Sequence, residues 1–183
     1  MRDQKLTEVD LGIMKTEDEL ANNFIKKYMA FLVFAYKECC EVDDETELLN
    51  KLSLGRDAFL KDRNLLSEYL ARSNEKDSII YDAIASLDVG EWIYLRDTTK
   101  YSLFIKTDQS ASYAVLGLTQ PVKEIFGCSG LYMKTGIVRL GANFVCDGII
   151  SNQVQLGRNY RDDINSIYKS MKSNGKFHRH TNA

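Results

Sequence analysis

The sequence lacks several features that usually identify a chemistry. It contains one proline and two histidines in 183 residues, and both histidines, His178 and His180, lie in the last six positions. Because terminal segments often fray, we expect the tail beyond Gly175 to be solvated rather than to bind a metal. Without a histidine in the body of the chain, a Ser-His-Asp or Cys-His mechanism is disfavoured.

The cysteines and the apolar runs are equally uninformative about chemistry. Cys39 and Cys40 are adjacent, Cys128 and Cys146 are isolated, and no C-x-x-C pair supports a zinc site. The uncharged part of the longest apolar stretch, residues 28–36, is far shorter than the roughly 20 residues of a membrane span. The N-terminus has no apolar segment typical of a secretory signal. We therefore expect a cytoplasmic protein with reduced thiols, no membrane segment and no cofactor.

Charge is nearly balanced over the whole chain but is uneven along it. The formal net charge is −2, yet residues 1–89 hold 12 Lys/Arg and 19 Asp/Glu, whereas residues 90–183 hold 12 and 7. Opposite charge on the two halves indicates either two partner surfaces or two halves that lie against each other. An apolar fraction of 44 % is enough for a sizeable core.

Residues 1–89 are predicted to be helical. Thr16-Glu17-Asp18-Glu19 resembles a capping box, and apolar residues recur at helical spacing from Leu20 to an end near Glu41–Glu45. Three further helices are predicted. They are a short one over about Glu45–Leu52 that Gly55 terminates, a third over about Arg56–Ala71, and a fourth capped by Ser73-Asn74 and ended by Gly90.

Residues 90–183 are predicted to form a sheet and a final helix. EWIYLRD and KYSLFIKT are rich in β-forming residues and are separated by a turn, which predicts a hairpin. Further strands are predicted at SYAVLGLT, TGIVRLG, NFVCDGII and VQLG, with a helical turn over 122–126 and a last helix over about Tyr160–Lys172. The class is therefore α+β: N-terminal helices on a mainly antiparallel sheet of about five or six strands, with a C-terminal helix, and we expect one compact unit.

The second half resembles an uncharacterised bacterial family. GEWIYLRDTTKYSLFI, YAVLGLTQPVKEIF and FVCDGIIS follow each other in the order of that family's G-x-[FW] strand, Y-x-V-L-G-L-x-x-P-[IV] segment and [IV]-x-D-G-[IL]-[IL] segment. The similarity covers about residues 79–177, and GCSGLYMKTG departs from the family pattern. The resemblance implies a shared sheet fold, and it implies no activity or catalytic residue.

The dipeptide Asp147-Gly148 lies inside an apolar run and raises the question of an enzyme. Asp-Gly favours a turn or a bulge, because glycine accepts positive φ, and this interpretation places Asp147 at a sheet edge. The alternative is a carboxylate-dependent enzyme centred on Asp147, with Glu91 or Asp97 as its partner. We favour the turn, and overall a protein that is not an enzyme.

Two surfaces are candidates for binding a macromolecule. A basic and aromatic set with a helix start could stack bases and hold phosphates; it comprises Trp92, Tyr94, Arg96, Lys100, Lys106, Arg158 and Arg161. Alternation places the first three of these on one face of the sheet, where they are more often core. An acidic set could instead bind a basic protein; it comprises Glu38, Glu41, Asp43, Asp44, Glu45 and Glu47.

The function favoured by the sequence is a non-enzymatic protein-interaction domain. In its most specific form, the acidic helices dock on a basic partner and inhibit or regulate it, for example a nucleic-acid enzyme, as small acidic proteins of mobile elements do. A nucleic-acid-binding module built on the basic second half is the alternative. The sequence predicts a protein partner without identifying it.

Overall fold

The computed structural model describes residues 15–41, 45–74 and 76–180. Within these ranges the chain forms six helices and seven strands, and the predicted α+β class is confirmed. The helices are α1 (Asp18–Cys39), α2 (Leu48–Lys61), α3 (Asn64–Ser73), α4 (Ser78–Ala85), α5 (Val122–Phe126) and α6 (Arg158–Ser173). The strands are β1 (Asp88–Asp97), β2 (Ser102–Lys106), β3 (Ser112–Leu116), β4 (Leu131–Leu140), β5 (Asn143–Cys146), β6 (Ser151–Gln155) and β7 (Phe177–His178).

The helix predicted to end at Gly55 continues through it. A Cβ atom at this position would lie 2.0 Å from the backbone oxygen of Leu32, so glycine allows α2 to cross α1 at close range. The single helix predicted over 56–71 is in fact two helices. Asp62 adopts extended geometry, and its carboxylate accepts a hydrogen bond from the backbone N–H of Asn64 at 2.9 Å, which separates α2 from α3.

The predicted capping box at the start of α1 does not form. No side chain caps this helix, and the Thr16 hydroxyl and backbone N–H both donate to the backbone oxygen of Gly117, at 3.3 and 2.9 Å. A hydroxyl committed to a distant carbonyl is not available to the first turn of its own helix. Thr16 therefore ties α1 to the chain just after β3.

The cap of α4 is Asp77 rather than the predicted Ser73-Asn74. The Asp77 carboxylate accepts hydrogen bonds from the backbone N–H of Ile80 at 3.4 Å and from the side chains of Asn23 at 2.8 Å and Lys27 at 3.4 Å. Burial alone would raise the pKa of Asp77, but these hydrogen bonds hold it below its usual range. Asp77 thus joins α4 to α1.

The sheet closes on itself. β1 and β2 form the predicted hairpin, β2 pairs with β3, and β4 pairs with β5 and β6, all antiparallel, while β3 and β5 run parallel. Because β1 also pairs antiparallel with β4, the order β1-β2-β3-β5-β4 returns to β1. β6 lies beside β4 over Ser151–Gln155, so it includes only Val154 and Gln155 of the predicted strand VQLG.

Three apolar clusters fill the molecule. One lies inside the closed sheet and includes Trp92, Tyr94, Phe104, Val115 and Met133. A second lies between α6 and the outer faces of β1 and β2, with Leu95, Leu103, Ile105, Ile164, Tyr168 and Met171. The third joins the N-terminal helices to β4 and β5, with Val138, Leu140 and Val145 contributed by the sheet. Helices therefore cover two outer faces of the sheet.

The tail is not frayed over the described residues. Phe177 and His178 form β7, which pairs parallel with β3 opposite Ser112 and Tyr113. The backbone N–H and the hydroxyl of Ser112 both donate to the backbone oxygen of Lys176, at 2.8 and 2.9 Å. These contacts overturn the prediction of a frayed tail, although His178 and His180 are exposed, and they place a histidine on the sheet.

Candidate functional site

Asp147 is buried, and the prediction that it lies at a sheet edge is wrong. It directly follows β5, and Gly148 has the positive φ of 80° that the dipeptide suggests. The carboxylate, however, turns inward. Its Oδ2 accepts hydrogen bonds from Arg56 Nη1 at 3.0 Å and from the Tyr28 hydroxyl at 3.1 Å. The partners come from α1 and α2, so the dipeptide connects the sheet to the helices.

The second oxygen of Asp147 is also fully engaged. Oδ1 accepts hydrogen bonds from the Thr135 hydroxyl at 3.2 Å and from the backbone N–H groups of Gly136 at 3.2 Å and Ile149 at 3.0 Å. Arg56 reaches further and donates to the backbone oxygen of Ile149 at 2.7 Å. The side chains of Arg56 and Asp147 are 1 % and 0 % exposed, so this is a fully buried ion pair.

The electrostatics of this cluster favour an architectural role. Burial raises the pKa of Asp147, while Arg56 and the surrounding N–H donors act in the opposite direction. Burial and the neighbouring Asp147 raise the pKa of Tyr28, and burial raises that of Cys146 to about 11. A neutral phenol and a neutral thiol beside a saturated carboxylate provide no activated nucleophile at neutral pH.

The carboxylates expected to pair with Asp147 lie elsewhere. Asp97 accepts hydrogen bonds from Tyr94 at 2.6 Å and Ser102 at 2.7 Å near the β1–β2 turn, and Glu91 is exposed on β1. Within residues 15–41, 45–74 and 76–180, no group of three or more His, Cys, Asp and Glu side chains is arranged to hold a metal ion. The geometry therefore brings no acid–base pair to Asp147.

An apolar groove of about 250 Å³ lies directly above this cluster, between α1, α2 and α5. Ile25 and Met29 of α1 form one wall, and Ile149 lies next to Asp147 at the base. Two aliphatic side chains of the lining, Leu49 and Ile125, are 71 % and 50 % exposed. Large aliphatic side chains that remain exposed beside an apolar groove are typical of a binding surface.

One feature of the sequence points to this groove. Leu48 and Leu49 directly follow the acidic run and lie on the exposed side of α2. Contributions from α5 and from the loop after β5 depend on the tertiary fold, so the sequence alone did not reveal them.

The acidic set lies at the junction of α1 and α2. Glu38, Glu41, Glu45 and Glu47 are exposed there, and Asp43 and Asp44 lie outside the described residues. Glu38 forms an exposed ion pair with Arg72 of α3, at 2.7 Å. Glu47 immediately precedes α2, two residues from Leu49 at the groove.

The basic and aromatic set does not form one surface. Trp92 and Tyr94 are fully buried inside the closed sheet, where the Trp92 indole donates to the backbone oxygen of Thr135 at 3.0 Å. They are therefore unable to stack bases at the surface, which corrects that prediction for these two residues. A register shift between Tyr94 and Arg96 moves Arg96 to the opposite face, where it donates to Asn165 of α6.

Three of the predicted cations do come together. Arg96, Arg158 and Arg161 line a shallow cleft of about 460 Å³ at the start of α6, together with Asp162 and Asn165. Two predicted lysines lie away from it. Lys106 forms an ion pair with Asp88 at 2.8 Å, and Lys100 is exposed in the β1–β2 turn.

Comparison with known proteins yields no significant match to a family model, a curated protein or a solved structure. The resemblance of residues 79–177 to a bacterial family therefore gains no support from these comparisons. Among the helices that the structure describes, none combines the length and apolar character needed to cross a bilayer.

Proposed function

We propose that this chain is a non-enzymatic protein-interaction domain whose groove between α1, α2 and α5 binds a basic amphipathic helix of a partner protein. The observation that carries the proposal is the exposure of Leu49 and Ile125 beside the apolar lining of the groove. A helix that presents apolar residues at positions i, i+3, i+4 and i+7 is the usual occupant of such a groove. The buried Arg56–Asp147 pair beneath it holds the walls together.

The charge around the groove favours a basic partner. Glu45 and Glu47 precede Leu49 by four and two residues, and Glu41 lies two residues beyond the end of α1. Lysine or arginine on the polar face of an incoming helix would meet these carboxylates and accelerate association. Such an occupant agrees with an inhibitor or regulator of a basic protein, in a cytoplasmic setting that the four unpaired thiols also fit.

The test measures binding of two synthetic peptides by fluorescence anisotropy. Both have leucine at positions i, i+3, i+4 and i+7; one carries lysine and the other glutamate at the remaining positions. We expect the lysine peptide to bind and the glutamate peptide to bind at least tenfold more weakly. Leu49→Glu and Ile125→Glu should abolish binding of the lysine peptide, because each places a charge in the groove.

Ile79→Glu is the matched control. Ile79 is 54 % exposed on α4 and does not line the groove, so this change should leave binding intact. Equal binding of the lysine peptide to all variants would refute the proposal. Self-association of the wild-type chain that Leu49→Glu abolishes would assign the groove to a second copy and would also refute it.

A nucleic-acid-binding function is the second candidate. Closed five-stranded sheets include the OB-fold, whose members bind oligonucleotides on the face of strands 2 and 3. In this chain α6 covers the outer faces of β1 and β2, so that face is not open to an oligonucleotide. The observation that favours nucleic-acid binding is instead the cleft lined by Arg96, Arg158 and Arg161. This candidate predicts affinity for single-stranded DNA that falls steeply with salt and decreases in Arg158→Gln.

A further inference from the structure

A second cavity, of about 340 Å³, opens at one end of the closed sheet. It lies where β1 begins and β4 ends, so Asp88 and Arg139 face it from neighbouring strands. Tyr113 of β3, Phe144 of β5 and His178 of β7 complete its aromatic part. The mouth of a closed sheet is a common position for a small-molecule site.

Two further rings pack against the Tyr113 ring at this mouth, and both are tilted relative to it. The Tyr113 ring lies 4.6 Å from that of Phe144 and 5.2 Å from that of His178, measured between centroids. The Tyr113 and His178 planes differ by 31°, and His178 is exposed. The exposed His178 ring packs on Tyr113, and its free side is an aromatic platform for a further planar ring.

The charges at the mouth favour an anion. Lys106 neutralises Asp88 at 2.8 Å, whereas the exposed Arg139 guanidinium forms no ion pair with a described residue. Burial and Asp88 raise the pKa of Tyr113, while Lys106 and Arg139 lower it. The three charged side chains are therefore close enough to the Tyr113 hydroxyl to affect its ionisation. An exposed arginine without an ion-pair partner among the described residues, beside an aromatic platform, matches a ligand with a ring and a phosphate.

We infer that this mouth binds one nucleotide, with its base stacked against His178 and Tyr113 and its phosphate at Arg139. The volume of the cavity, about 340 Å³, is near the lower end of the range of roughly 300–1,000 Å³ that ligand pockets have. It therefore fits a single nucleotide rather than a strand. The same chemistry is present in a free mononucleotide and in the phosphorylated end of a single strand. The site is separate from the groove and does not depend on the proposed function.

The test is calorimetric titration of the full chain with AMP, GMP, CMP and UMP. Adenosine, which lacks the phosphate, and inorganic phosphate, which lacks the ring, should each bind at least tenfold more weakly than the best nucleotide. Arg139→Gln and His178→Ala should each raise its Kd by about tenfold. Arg179→Gln is the matched control, because Arg179 lies over the Tyr101 ring outside the cavity, and its Kd should be unchanged.

Short single strands with and without a 5′-phosphate then identify the source. Binding only of the phosphorylated strand, lost in Arg139→Gln, assigns the site to strand ends; binding only of mononucleotides assigns it to the free ligand. Either result supports the inference. Absence of binding to every nucleotide and strand, or equal affinity of wild type, Arg139→Gln and His178→Ala, would overturn it.

Discussion

Replacing Asp147 with asparagine is expected to reduce the free energy of unfolding by about 3–5 kcal/mol, because it leaves a buried charge on Arg56 without a counter-charge. The change in volume is negligible, so packing is not the cause. The new amide can still accept through one oxygen. At the position of Oδ2, however, its NH₂ group would face the donors of Arg56 and Tyr28. Hydrogen-bond donors that face each other without an acceptor in a buried site destabilise the folded state.

The measurement is urea unfolding followed by fluorescence. Trp92 is the only tryptophan and lies inside the closed sheet, so its emission reports loss of the core. Arg56→Met combined with Asp147→Asn should be less destabilised than Asp147→Asn alone, since the unpaired charge is then absent. Glu38→Gln, which breaks the exposed pair with Arg72, should hardly move the midpoint.

An unchanged midpoint in Asp147→Asn would refute this reasoning. The carboxylate would then contribute no more than a turn residue at a sheet edge, which is the role that the sequence suggested. A large loss in Asp147→Asn that the double variant fails to reduce would also count against it, because the cost would then arise from the hydrogen bonds to the sheet rather than from Arg56.

Three further outcomes follow from local features. Gly55→Ala should destabilise by about 1–3 kcal/mol in thermal unfolding, because its Cβ would overlap the backbone of α1, whereas Gly157→Ala, with no atom within 4 Å, should be nearly neutral. The lowered pKa of Asp77 contributes stability at neutral pH, and this contribution is lost as the pH falls below the usual carboxyl range. In Asp77→Asn the free energy of unfolding should therefore decrease less between neutral and acidic pH than in the wild type; an unchanged decrease would contradict this. Iodoacetamide at pH 8 should alkylate exposed Cys39 faster than buried Cys146, whose pKa is about 11, as read by peptide mass spectrometry; equal rates would contradict the described burial.

The sequence predicted elements whose causes are local. The β1–β2 hairpin, the buried face of α1 and the extent of α6 depend on residue type and spacing within a few positions. The prediction that Gly55 ends a helix is wrong for the same reason, because it considers only neighbouring residues. Its local meaning is a helix break, whereas its actual role depends on the backbone of Leu32, 23 positions earlier in the chain.

The candidate site was predictable only in part. Asp147 was recognised as unusual, but its partners Arg56 and Tyr28 precede it by 91 and 119 positions, and no periodicity connects them. The local sequence predicts a free tail at His178, because its pairing partner in β3, Tyr113, precedes it by 65 positions. Neither the groove nor the mouth of the sheet consists of a contiguous motif, so the sequence could not assemble them.

Closure of the sheet also limits how this protein meets other chains. The β1–β4 pairing uses backbone groups that an open sheet would present to solvent. Among the described strands, β6 and β7 each keep one flank without a strand partner. β7 has only two residues, and β6 is short, fully exposed and mostly polar, with an irregular pairing to β4. These properties discourage intermolecular strand addition. Although β-forming residues are abundant, we expect a low tendency toward fibrillar aggregation, and recognition that relies on side chains rather than on the main chain.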